Sequence, residues 1–157
     1  RAPFLIGLLI ATASPSGMLG SLREAFAAKK LLIETRANGT GVNSLVDLVL
    51  AELDTDEGRS KADLMHLANL TPADARKEAE RSIQVAGEAA RAHAPADATG
   101  FLEWLLTLAQ AVASASKEGG FLGIGGKPVS DAEASALEKV RELLLGRGVR
   151  DEIFHAP

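Results

Sequence analysis

The chain has 157 residues, 46% of them hydrophobic and 24% charged, a formal net charge of −4 and no cysteine. That balance suits one domain with a sizeable core and excludes a disordered or fibrous chain. The missing cysteines exclude disulfides, zinc–thiolate sites and thiol catalysis and fit a reducing cytoplasm; the acidic charge argues against a general nucleic-acid binder, which needs a basic face.

The first segment, "RAPFLIGLLIATAS", pairs one arginine with an apolar run and ends in Ala11-Thr12-Ala13. It resembles a secretory leader with its small-residue cleavage site, which is the alternative to a buried first helix over residues 4–13 of a cytoplasmic protein. The apolar run spans roughly ten residues, and a bilayer-crossing helix takes about 20.

Ser14-Pro15-Ser16-Gly17 is turn chemistry, after which a helix is expected over residues 19–35 with Leu22, Ala25, Phe26 and Ile33 on its apolar face. "ANGTG" breaks it. The next helix is expected over 44–53, capped by Asn43, with Leu45, Leu48, Val49 and Leu53 inward. "DTDEG" at residues 54–58 starts like a calcium loop, but Met65 stands where the closing glutamate belongs. It reads instead as the acidic N-terminus of a short helix over 58–68.

Thr71-Pro72 is a strong start signal: the hydroxyl caps the first amides, and proline sits where no amide partner is needed. That helix should reach His93, with a small-residue stripe of Ala75, Ala79, Ile83, Ala86 and Ala90 that lets a neighbouring backbone come close. A helix over 98–117 follows. Its polar residues, Glu103, Thr107, Gln110, Ser114 and Lys117, form one narrow stripe, and the rest of its girth is apolar around Trp104. Such a helix belongs at the centre of a bundle. The last helix starts at Ser130, which with Glu133 makes a capping box, buries Ala136, Leu137, Val140, Leu143 and Leu144, and stops at Gly146. Ile153 and Phe154 in the tail are candidates to tack it down.

"SKEGGFLGIGGKPVSDAE" at residues 116–133 looks like a phosphate loop and fails as one. Phe121 stands where the first Walker glycine belongs, and Pro128 where the magnesium-binding hydroxyl belongs. The dinucleotide pattern counted from Gly123 also needs glycine at Pro128. The stretch reads as the turn of a helical hairpin, and "ASPSGMLG" at residues 13–20 echoes "ASKEGGFLG" at 115–123. Two hairpin-like segments, 4–35 and 98–146, would then flank inserted helices over 42–93. Met18 and Leu19 in one turn, and Phe121, Leu122, Ile124 and Lys127 in the other, are the candidates for docking a partner or ligand.

His66, His93 and His155 lack metal-ligand spacing. Glu118, Asp131 and Glu133 offer oxygen ligands to a divalent cation, although Glu133 already serves the capping box. No serine sits in a nucleophile elbow and no His–acid pair is evident, so no catalytic residue is assigned and no cofactor is expected beyond that cation.

The apolar helix, the A-x-A-S end, the Glu-Gly turn and the restart at Val129-Ser130-Asp131-Ala132-Glu133 resemble the helical hairpins of TerB-like, tellurite-resistance-associated proteins. They also resemble a group of bacterial helical proteins that carry a similar Gly-rich segment. The resemblance covers residues 102–145, with a fainter echo over 4–34. It implies an all-α, stress- or envelope-linked, non-enzymatic module. It also implies metal ligation at the hairpin turn, where this chain has Glu118-Gly119 in place of the usual Asp-Gly; only Glu118, Asp131 and Glu133 could serve.

The expectation is an all-α single domain of six or seven helices, acting through a protein partner or homo-oligomerisation, without nucleic acid or membrane. The alternatives are a carboxylate-based divalent-metal domain, or an apolar-ligand binder or enzyme with a pocket between the hairpins.

Overall fold

A computed structural model describes residues 1–13, 43–118 and 131–146, and every secondary element among them is helical. In chain order these are α1 (Ala2–Ala13), α2 (Ser44–Asp54), α3 (Asp56–Ala62), a 3₁₀ turn (Met65–Asn69), α4 (Pro72–His93), α5 (Pro95–Glu118) and α6 (Asp131–Leu145). The all-α expectation holds. The helix expected over 19–35, Ser130, Ile153 and Phe154 lie outside the described residues, as does the second arm of the first hairpin.

The start signals act as the side chains suggest. Asn43 Oδ1 accepts from the Val46 amide at 3.0 Å, Thr55 Oγ1 from the Gly58 amide at 2.9 Å, and Thr71 Oγ1 from the Asp74 amide at 3.2 Å. Each satisfies an amide that has no partner in the first helical turn, an interaction worth about 1 kcal/mol. Two boundaries differ most from expectation. α5 starts at Pro95, because proline is well suited to a first helical position; only Ala94 separates it from α4. The helix expected over 58–68 splits. α3 stops at Ala62, the Asp63 carboxylate accepts from the Met65 amide at 2.8 Å, and a 3₁₀ turn follows. The short acidic side chain competes with the helical ladder for that amide.

Helices α1, α4, α5 and α6 form the core, and each of the four packs against the other three. Leu5, Ile6 and Ile10 of α1, Ile83 of α4, Leu105, Leu108 and Val112 of α5, and Val140 and Leu144 of α6 are fully buried. The centre is therefore shared: α5 supplies the longest apolar face, and the short, almost wholly apolar α1 meets all three of its neighbours. On α5 the polar stripe emerges as expected, with Glu103, Thr107, Gln110 and Ser114 exposed. Phe101 and Trp104, one turn apart on α5, are buried with ring centroids 5.8 Å apart.

The small stripe of α4 does what small residues allow. Ala79, Ile83, Gly87 and Ala90 are buried, and the α6 backbone comes so close that a Cβ on Gly87 would lie 2.6 Å from the Leu144 carbonyl oxygen. The same carbonyl accepts from Arg91 Nη1 at 2.5 Å. The last turn of α6 carries no basic residue, so α4 supplies the cation that a helix C-terminus favours. Gly146 then closes the helix at φ 76°, a left-handed conformation that glycine takes without strain, its amide donating to the Glu142 carbonyl at 3.0 Å.

Residues 43–70 form an arm on this core. Helix α2 packs on α3 and on α5, and Val46, Leu50 and Leu67 extend the apolar core into the arm. Among the described residues, no helix is long and apolar enough to cross a membrane.

Candidate functional site

The expected docking residues Met18, Leu19, Phe121, Leu122, Ile124 and Lys127 all lie outside the described residues. Of the three candidate metal ligands, Glu118 is the last residue of α5, Asp131 is the exposed first residue of α6, and Glu133 is buried in the first turn of α6. Glu133 is also engaged in an interaction there. A carboxylate in the first helical turn is well placed by the backbone dipole, which suits the capping role read from the sequence. Among the described residues, no group of three or more His, Asp or Glu side chains is placed to hold a metal ion.

The described surface departs from an ordinary one chiefly on the arm. Among the described residues four large apolar side chains are well exposed: Leu48 at 67%, Met65 at 71% and Leu70 at 41% on the arm, and Val85 at 52% on α4. Leu48 was expected to face inward and does not. Val46 and Leu50 take the buried positions of α2, with Leu45, Val49 and Leu53 half-buried. The reason lies in the sequence. Residues 45–53 carry six large aliphatic side chains in nine positions, more than one helix face can bury, so periodicity does not select which of them stays out. Met65 opens the 3₁₀ turn and Leu70 follows it, while Leu67 between them is buried. That surplus of aliphatic residues is the signal that could have marked this face.

The arm is pinned in place by polar contacts at its start. Asn43 Nδ2 donates to the Asp97 carbonyl at 2.8 Å. The Asp97 carboxylate accepts from the Ser44 amide at 3.3 Å and from the Ser44 hydroxyl at 2.6 Å. Asp97 thus sits at the N-terminal turns of two helices, α2 and α5, where negative charge is favoured in both. Gly100 leaves room for the Asn43 amide: a Cβ there would lie 2.5 Å from Asn43 Nδ2. Further along, Arg1 Nε donates to the Lys61 carbonyl, tying α3 to the start of α1.

Within the arm, the turn from α2 to α3 is tight. Thr55 Oγ1 donates to the Glu52 carbonyl at 2.8 Å, and Gly58 packs against the same carbonyl, where a side chain would collide with backbone. Charges are paired locally: Arg59 with Asp56 at 2.6 Å, and Lys61 with Glu52 at 3.3 Å and Glu57 at 2.9 Å. The Glu57 and Glu52 hydrogen bonds hold the Lys61 ammonium above its ordinary pKa. All these groups are solvated, so the pairs orient the surface more than they stabilise it.

Exposed aliphatic side chains thus stand on a short helical arm that a defined polar anchor holds. No protein-family model, no curated protein and no solved structure matches this chain.

Proposed function

We propose that this chain is a non-enzymatic helical module that acts by binding a protein partner or a second copy of itself. The observation that carries the reading is the exposure of Leu48, Met65, Leu70 and Val85 beside a core that buries its other large aliphatic residues more fully. Exposed aliphatic side chains cost solvation free energy in a free monomer and regain it when covered. The resemblance of residues 102–145 to TerB-like hairpins supports a stress-linked setting in the bacterial cytoplasm.

Cross-linking in the cells that make the protein tests this reading, because Lys61 lies on the arm and Lys77 on α4, both exposed. Cross-links from Lys61 to another protein, or to Lys61 of a second copy, are expected. A chain that sediments as a monomer over about a hundredfold concentration range, with no intermolecular cross-link from Lys61 or Lys77, would sink the reading.

The metal reading is weaker, and the exposed Asp131 is what remains for it among the described side chains. Titration calorimetry with magnesium, calcium and manganese decides it: heat together with a raised melting temperature, both lost in Asp131→Asn, would establish it over the association reading.

A further inference from the structure

The arm carries the whole imbalance of charge. Residues 43–70 hold six of the 21 acidic residues and two of the 17 Lys and Arg, so the net −4 is theirs, and the remainder balances at fifteen of each sign. Both of the arm's strong cations are already turned on its own carboxylates, Arg59 on Asp56 and Lys61 on Glu52 and Glu57. Among the described residues, three of the four well-exposed large apolar side chains, Leu48, Met65 and Leu70, lie in the same 28 residues. Apolar exposure and negative charge thus coincide in one 28-residue segment of the chain.

We propose that the arm is a docking surface for a basic amphipathic helix of a partner protein, a segment with aliphatic residues at helical spacing and Lys or Arg between them. The inference rests on the association reading above and names its partner. The aliphatic residues of such a helix cover Leu48, Met65 and Leu70, while its cations meet carboxylates in excess. Apolar burial supplies most of the affinity, and charge complementarity supplies steering and selectivity.

The same charges disfavour the other occupants. A second copy docking arm to arm would bring −4 against −4, and like-charge juxtaposition is how interfaces reject wrong partners. Anionic lipid headgroups would be repelled in the same way. Val85 stands apart as an internal control: it is an exposed aliphatic residue on α4, outside the acidic arm.

The test is binding, by fluorescence anisotropy, of three labelled synthetic helices to the full chain: one of Lys and Leu in amphipathic order, one with Glu for every Lys, and one with Ser for every Leu. The Lys/Leu helix should bind, with an affinity that falls as salt rises. The other two should bind at least tenfold more weakly. The double variant Leu48→Ser, Met65→Ser should lose about tenfold or more, and Val85→Ser should bind as the wild type does. Both altered positions in the double variant are exposed, so an unchanged thermal melt serves as the folding control.

Equal weakening by Val85→Ser, equal binding of the Lys/Ser helix, or no binding of the Lys/Leu helix would each overturn the proposal. Sedimentation velocity separates this from the broader reading. A wild-type dimer dispersed by Leu48→Ser, Met65→Ser would keep association and replace the basic partner with a second copy, overturning the inference alone. Intermolecular cross-links from Lys61 to acidic or uncharged partner segments would do the same.

Discussion

The four-helix core and the arm on it are built from similar residues to opposite ends. In the core, aliphatic side chains from four helices meet one another: Leu5 and Ile6 from α1, Ile83 from α4, Leu105 and Leu108 from α5, Val140 and Leu144 from α6. In the arm, α2 carries as many large aliphatic residues for its length, but beyond α3 it packs chiefly on α5, so Val46 and Leu50 are covered and Leu48 is left out. Aliphatic content is therefore not what separates core from surface here. Position in the bundle is: α1, apolar nearly all round, is covered by three helices, whereas α2 at the margin buries one stripe and shows the rest.

Cavities separate the core from the arm most strongly. Leu105→Ala removes a fully buried side chain from α5, and about 3 kcal/mol of unfolding free energy should go with it, read from the urea midpoint. Leu48→Ala, with the same change of side chain at an exposed position, should shift stability by no more than about 0.5 kcal/mol. Equal losses at the two positions would mean that the arm is part of the core after all.

Two glycines sharpen the contrast. Alanine favours a helix interior over glycine by about 1 kcal/mol. At Gly87 the new Cβ would stand 2.6 Å from the Leu144 carbonyl oxygen, so α4 and α6 must part. The clash outweighs propensity, and Gly87→Ala should lower global stability by about 1 kcal/mol net. At Gly58 the collision is with the Glu52 carbonyl inside the α2–α3 turn, and the damage should stay local. Hydrogen exchange distinguishes the two: Gly58→Ala should speed exchange across residues 44–62 and leave α4 and α5 protected, whereas Gly87→Ala should weaken protection throughout the bundle.

Much of this architecture is legible in the chain, and the limits of legibility follow from what each signal encodes. Caps are local chemistry, so Asn43, Thr71 and Gly146 mark their helix ends from the sequence alone. Pro95 is also local but ambiguous, since proline both stops one helix and starts another; only the single-residue turn at Ala94 resolves it. The outward face of α2 is a tertiary fact, because six large aliphatic residues in nine positions leave no single face to read. So is the pairing of Gly87 and Arg91 with Leu144, which joins two helices more than 50 residues apart along the chain. The docking candidates in the two glycine-rich turns fall outside the described residues, whereas the contact surface proposed in their place rests on side-chain exposure, which composition does not reveal.

The polar anchor of the arm gives a smaller effect. Asp97→Ala removes the acceptor for the Ser44 amide and hydroxyl and a carboxylate from the first turn of α5. A loss of about 1 kcal/mol is expected, the scale of a helix cap, and α2 should exchange faster than α5. If Asp97→Ala instead destabilised the whole chain by several kcal/mol, the arm and the core would be a single cooperative unit, and the division between them would fail.

The smallest stability effect carries the most functional weight. Leu48→Asp places a charge on an already exposed position of α2, one turn before Glu52 and next to Asp47, so the cost is like-charge repulsion in solvent, a few tenths of a kcal/mol. The melting temperature should move by no more than about 2 °C. In the cell, the same substitution should remove the cross-links formed from Lys61 while leaving the protein's abundance unchanged. A side chain that stability does not require, and whose replacement silences contact without unfolding the chain, is one kept for a partner. If Leu48→Asp left the Lys61 cross-links intact, Leu48 would be a tolerated surface leucine, and the arm would have no claim to be the contact surface.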